Sequence, residues 1–387
     1  MKSILLLDRS LSVNGTSVYY KNLSAVLTNK AKLYFFPFKQ HVYYDEIASN
    51  TTIIKIIPFI LQCYDIDIIY VCTAEMYIMA LFFKTYFAKE AKIVYSIFHP
   101  RGNVFEDHYF GRIYKNVIYK KLLKFPESFV FYNELTKLSH QDHYGLPLDN
   151  SSIFPVLVKS LEPSENSRLI KNVAITKIIS LGRLVDFKYH HEQVINAINL
   201  LKREKDIPIE YHIYGDGHLR NRLEKFVETT GSAHFVFIHG TLQTEALYEH
   251  LMTADLCIGM GTSLIYAASL SVPSILAIES SDLTYGFFTD DLKGYETGED
   301  VGDLGKETYL SVFSRFFELS DVERAILKKK TIAKAQQYAF EENVDKLLNL
   351  LVEPRQKDIT GISLFTFLKV LLAKVGVKLL PKTIGDK

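Results

Sequence analysis

The stretch Ile179-Ser180-Leu181-Gly182-Arg183-Leu184-Val185-Asp186-Phe187-Lys188 decides how this chain folds. An apolar, β-rich run stops at a glycine, a short loop places two cations five residues apart, and a helical pattern follows over His191–Arg203. Strand, tight loop and helix make half of a βαβ unit, and the same cadence recurs on both sides. Upstream, candidate strands are Ile4–Leu7, Asp67–Val71, Ile93–Ile97, Phe129–Phe131 and Ser152–Phe154. From the quoted stretch onward they are Ile178–Leu181, Glu210–Ile213, Phe235–Ile238, Leu256–Ile258 and Ser274–Ala277. Helical patterns over Leu219–Thr229 and Glu245–Thr253 separate the later ones. Near-continuous apolar strands alternating with helices predict an α/β protein with buried parallel sheets. Each set, about five strands, suffices for one doubly wound domain.

The polar stretch Lys159–Asn172 (KSLEPSENSRLIKN) contains Pro163, lacks a period and separates the two sets. The expected architecture is therefore two doubly wound, Rossmann-like domains facing a cleft. Residues 1–160 form the first and residues 173–354 the second, with a tail and amphipathic helix over 355–387. The length of 387 residues fits more than one core, since a domain takes about 150 residues. A hydrophobic fraction of 48% with 23% charged residues excludes a disordered chain and a small disulfide scaffold. With 45 Lys and Arg against 44 Asp and Glu, no global field for nucleic acid exists. The halves nevertheless differ. Residues 1–160 carry 18 Lys and Arg against 13 Asp and Glu, and the remainder carries 27 against 31.

Three cysteines, Cys63, Cys72 and Cys257, lie in apolar runs without a paired spacing, which suits a reducing compartment. The apolar run after Met1 is ended by Asp8 and is too short for a secretion signal. Lys55, Asp65, Asp67 and Glu75 break up the best candidate for a spanning helix. The expected location is cytoplasmic, peripheral on the inner face of the cell membrane.

Ligands of doubly wound sheets sit outside the carboxyl ends of the strands. On that rim the first strand leads into a loop Arg9–Ser17 with Gly15, and a helix is expected from about Val18. Gly182 opens the second domain's rim, where the planar fork of Arg183 and the point charge of Lys188 suit a diphosphate. Tyr214-Gly215-Asp216-Gly217 supplies a GxG turn without the third glycine of a dinucleotide fingerprint, so strand–helix packing explains Gly215 as well as phosphate contact does. His239-Gly240-Thr241 makes another turn. Gly259-Met260-Gly261-Thr262-Ser263 offers backbone N–H groups and hydroxyls at a helix start.

Taken in order, GR-x4-K, the GxG strand, HG-x4-EALYEHL-x2-ADL and G-x-GTS-x3-A-x6-P-x-I resemble the donor domain of GT-B glycosyltransferases. The chain is most similar to the retaining family-four glycosyltransferases over Ile175–Glu279, and SIFHP at 96–100 extends the resemblance to the front half. The resemblance implies transfer of a sugar from a nucleotide diphosphate sugar to a glycan or lipid-linked acceptor, in bacterial surface polysaccharide biosynthesis. No cofactor and no metal are implied. It assigns Arg183 and Lys188 to the donor diphosphate, the loop at Gly15 to phosphate or acceptor, and His99 to the reacting sugar. His108, His190 and His191 have weaker claims. Gly182, Gly215, Gly240, Thr241, Gly261, Thr262, Ser263 and Tyr266 complete the expected donor site. One departure stands out: the family's Glu-x7-Glu pair is replaced by Ile258 and Tyr266. A turn of the lipid-linked peptidoglycan glycosyltransferases is also similar, and there too Tyr266 stands in place of glutamate. A phenol donates one hydrogen bond to a ribose where a carboxylate accepts two. Two alternatives follow, a nucleotide-sugar 2-epimerase of the same fold and a non-catalytic GT-B partner subunit.

Two basic amphipathic segments, Arg112–Lys124 and Ile362–Leu380, predict contact with an anionic membrane surface. In the second, Lys369, Lys374 and Lys378 are expected on one side, with Leu368, Leu372, Val375 and Leu379 on the other.

Overall fold

Ser3–Asp8 (β1) is buried at every position, and around it a seven-stranded parallel sheet is assembled. Its other strands are Lys32–Pro37 (β2), Thr52–Ile53 (β3), Ile68–Val71 (β4), Lys92–Ile97 (β5), Phe129–Phe131 (β6) and Ser152–Ile153 (β7). They run in the order β3-β2-β1-β4-β5-β6-β7. The helices are Gly15–Leu27 (α1), Tyr44–Ala48 (α2), Ala74–Tyr86 (α3), Tyr109–Lys124 (α4) and Glu134–Tyr144 (α5). Strands buried on both faces need cover on both faces, which is the doubly wound arrangement. The coordinates are a computed structural model that describes residues 1–9, 15–37, 41–54, 65–100, 109–161, 175–188, 190–205, 207–242, 244–300, 305–352 and 361–370.

The second sheet has six strands: Thr176–Leu181 (β8), Ile209–Tyr214 (β9), Val236–His239 (β10), Leu256–Gly259 (β11), Ser274–Ala277 (β12) and Thr284–Phe287 (β13). Their order is β10-β9-β8-β11-β12-β13, and only the β12–β13 pairing is antiparallel among the described strands. Its helices are His190–Lys205 (α6), Arg220–Thr229 (α7), Thr244–Met252 (α8), Thr262–Ser269 (α9), Tyr309–Glu318 (α10) and Asp321–Gln336 (α11), with Phe340–Val352 (α12) after them. The Ser320 hydroxyl and the Glu323 carboxylate cap α11 reciprocally.

The ten expected strands all form, and three more appear: β2, β3 and β13. The chain divides into two compact units, residues 1–157 with 343–387 and residues 158–342. Sequence placed 173–354 together, whereas from Asn343 onward α12 packs with the first unit: Asp345 pairs with Lys30 at 2.5 Å, and the Val352 carbonyl accepts from Lys92. Most of the linker, 162–174, lies outside the described residues. Both described cysteines, Cys72 and Cys257, are buried and free. No helix among the described residues is long and apolar enough to cross a membrane.

Candidate functional site

In each sheet the strand order reverses at one place, between β1 and β4 in the first and between β8 and β11 in the second. Loops leaving the carboxyl ends of such a pair diverge and open a crevice. In the second unit those loops are Gly182–Lys188 and Met260–Ser263. The Ser263 hydroxyl ties them by donating to the Leu181 carbonyl at 3.0 Å. Arg183, Lys188, Gly261, Thr262 and Ser263 are therefore brought to one switch point.

The backbone explains why the cation loop holds its shape. Gly182 N–H donates to the Tyr214 carbonyl at 3.0 Å and Leu184 N–H to the Asp216 carbonyl at 2.9 Å. A Cβ on Gly215 would lie 1.8 Å from the Gly182 carbonyl oxygen, so Gly215 permits a close backbone crossing. Gly182 adopts φ +145°, and a Cβ there would stand 3.2 Å from the Lys188 ammonium. The ammonium is thus folded back over the end of β8. Asp186–Lys188 forms a single 3-10 turn.

Arg183 is exposed and Lys188 half-buried. Neither makes an ion pair with a described residue. Burial, and next the Arg183 guanidinium, push the Lys188 ammonium down to about 8, against the opposing pull of Glu279. Two cations that disfavour each other's charge, in a partly desolvated crevice, attract an anion strongly.

Beneath this loop the α6 start is neutral. His190 and His191 are buried, which overturns their claim to ligand contact. His191 Nδ1 bonds the Tyr211 hydroxyl at 2.8 Å, which bonds the Ser180 hydroxyl at 2.8 Å, which donates to the Ile258 carbonyl at 2.8 Å. Burial, with Lys188 nearby, pushes His191 down to about 3. Burial holds His190 well below its ordinary value, and neither of its ring nitrogens has a hydrogen-bond partner among the described residues.

The remaining expected donor residues are spread along the same rim. Gly261, at φ +70°, caps α9, but its N–H is taken by the Thr297 carbonyl at 2.6 Å. Tyr266 is half-buried and packs against two apolar clusters. Gly240 and Thr241, both exposed, follow β10 at the sheet edge, away from the switch point. Beside them Tyr214 and His239 stack at 4.3 Å. Sequence gave no sign of that stack, because its partners come from different strands.

In the first unit α1 begins at Gly15 itself, not near Val18; residues 10–14 of that loop and His108 lie outside the described residues. His99 is exposed just past β5, at a carboxyl end. Sequence reasoning missed the loops' ties at this switch point. Arg9 after β1 pairs with Glu75 after β4 at 2.7 Å. At the end of β1, buried Asp8 meets buried His41 at 2.7 Å. Tyr43 N–H donates to His41 Nδ1, so Nε2 carries the proton and donates to the carboxylate. Only a strand ending in a buried aspartate hinted at this partner.

The family of glycosyl transferases group 1 matches residues 166–277. HepE from Anabaena, solved with UDP-glucose, is 12% identical; 91% of this chain covers 99% of that one at a TM-score of 0.62. A glycosyltransferase from Rickettsia africae is 14% identical at 0.66, covering 91% and 98%. The lipopolysaccharide outer core galactosyltransferase WaaB is 13% identical at 0.54, covering 90% and 99%. This chain has the GT-B fold, and its residues 166–277 match the glycosyl transferases group 1 model. A comparison with curated proteins finds no match. The group 1 match spans β8 through β12 and so contains both cations and the Met260–Ser263 turn.

Two outcomes follow for this GT-B protein. His41→Ala takes away the hydrogen bond that the buried Asp8 carboxyl receives from Nε2 and should cost about 1–3 kcal/mol in denaturant unfolding, whereas a surface His234→Ala should cost nearly nothing. Acid should also destabilise the protein. Below pH 6.5 the unfolded chain protonates His191 while the folded chain resists until about pH 3, so stability falls as pH drops through that window. Thermal melts at pH 7.5 and 5 should show the drop, and His191→Gln should reduce it.

Proposed function

We infer that this protein is a glycosyltransferase that takes a sugar from a nucleotide diphosphate sugar and passes it, with retention, to a glycan or lipid-linked acceptor. The pathway inferred is bacterial surface polysaccharide assembly, at the inner face of the cell membrane. The observation that carries the reading is the Arg183–Lys188 pair, two cations that make no ion pair among the described residues, at the switch point of the segment that matches the group 1 model. HepE, solved with UDP-glucose, and WaaB, a lipopolysaccharide outer core galactosyltransferase, support the donor and acceptor classes.

On this reading the diphosphate leaves with its charge rising, and the chain's contribution is fixed positive charge at that oxygen. Arg183 holds two phosphate oxygens with its fork, while Lys188 supplies a point charge. The Thr262 and Ser263 end of α9 adds the positive end of a helix dipole. Gly15 at the start of α1 and exposed His99 serve the acceptor and reacting sugar. Tyr266 lends one hydroxyl to the ribose. That single hydroxyl, in a ring packed against apolar clusters, also favours a second reading, a GT-B subunit that binds donor without turning it over.

Titration calorimetry with UDP tests the site. Arg183→Ala and Lys188→Ala each remove a charge-assisted contact worth roughly 1.5–3 kcal/mol, so each should weaken UDP about 10- to 100-fold. Affinity of the parent should fall as pH climbs past about 8, where Lys188 loses its proton, and Lys188→Arg should remove that dependence. Parent-like affinity in both alanine variants would refute the assignment. Tyr266→Phe keeps the packed ring and should lower UDP affinity a few-fold (one neutral hydrogen bond, roughly 1 kcal/mol) at an unchanged melting temperature. Sugar release without acceptor consumption, or binding without any turnover on lipid extracts, would separate the two readings.

A further inference from the structure

Residues 361–370 return to the first unit and seat a short helical segment against α3. Phe367 stacks on Phe82 at 4.2 Å, the Thr85 hydroxyl donates to the Ile362 carbonyl, and Leu364 N–H donates to the Tyr86 hydroxyl at 2.8 Å. Ile362, Phe367 and Val370 are buried by this docking. The opposite side is apolar too. Leu364 is 49% exposed, Phe365 77% and Leu368 46%. At 100° per residue these three share about 100° of arc. Sequence placed Leu368 on the side opposite Lys369, and in the structure both are exposed.

The basic helix α4 lies beside this segment, because the buried Lys121 ammonium donates to the Gly361 carbonyl at 3.3 Å. Lys121 is therefore a strut, pushed down to about 8 by burial and by Lys124. The outward stripe of α4 is Arg112, Lys120, Leu123 and Lys124, with Leu123 54% exposed. Neither α4 nor 361–370 contains an acidic residue, and Lys369 is exposed on the segment. Uncovered leucine and phenylalanine among cations with no carboxylate match an anionic, apolar surface and no ordinary solvated face.

We propose that this face docks on an anionic lipid bilayer, with Phe365, Leu364, Leu368 and Leu123 entering the headgroup region and Lys120, Lys124 and Lys369 on the lipid charges. The docking is independent of donor chemistry and goes beyond the transfer reaction. It holds the first unit at the surface where a lipid-linked acceptor resides.

Cosedimentation of the full chain with phosphatidylglycerol-containing vesicles and with pure phosphatidylcholine vesicles tests it. The parent should bind the first at least tenfold better, and 1 M salt should remove the preference, because screening shortens the Debye length to about 3 Å. Phe365→Asp with Leu368→Asp, and separately Lys120→Glu with Lys124→Glu, should each lower binding tenfold or more. Melting temperature and UDP affinity of the same preparations should stay at parent values. Arg183→Ala should lose UDP and keep the vesicles, so failure of the donor site and of the docking face are distinguishable. Equal binding to both vesicles, binding to neither, or a lipid-free dimer that Phe365→Asp dissociates would overturn the proposal.

Discussion

The crossing of two backbones at the ends of β8 and β9 governs the rest of the second unit. The Gly215 α-carbon sits so near the Gly182 carbonyl that a methyl group would overlap it, and two backbone hydrogen bonds lock the turns together. Everything that follows in the loop inherits this register. With Gly182 at a positive φ, the chain turns sharply, and Lys188 lands back over the strand end instead of trailing into solvent. A loop spaced the same way but free to move would leave Lys188 as hydrated as the exposed Arg183, where a diphosphate gains little over bulk counter-ions.

What lies under the loop matters as much. Buried groups near a desolvated ammonium usually include a carboxylate that neutralises it. Here the neighbours below are two histidines held neutral by burial, linked through Tyr211 and Ser180 to a backbone carbonyl. The chain of hydroxyls satisfies polar atoms without adding negative charge. Among the described residues Glu279 pulls the Lys188 charge back up, and it does not override burial. The site is thereby kept short of one anion.

The buried strands were legible because a strand covered on both faces carries a continuous apolar run, as Ile4–Leu7 in β1, Ile68–Val71 in β4, Leu256–Ile258 in β11 and Ile275–Ala277 in β12 do. The ligand-facing loop of β8 was legible for the same local reason, since glycine, arginine and lysine stand within seven residues. Short β3, with an exposed threonine, and antiparallel β13, which carries Gly286, have no such run and passed unread. Contacts across sequence were opaque. Asp8 and His41 are 33 residues apart and Lys121 and Gly361 are 240 apart, and no period links them. The packing of the C-terminal segment was opaque for a subtler reason: it is apolar on two sides, and hydrophobicity alone does not say which side the protein covers.

The replaced carboxylates fit this picture of the second unit. Ile258 is completely buried within β11, and its carbonyl accepts from Ser180. An ionised carboxylate at that place would be stranded in the core next to the neutral histidine chain, at a cost of several kcal/mol. Tyr266 occupies the second place with its ring against two apolar clusters, so a glutamate there would trade packing for charge. On the resemblance to the family, both positions lack the negative charge of a glutamate. On the proposed reading the donor is then gripped by its diphosphate more than by its ribose.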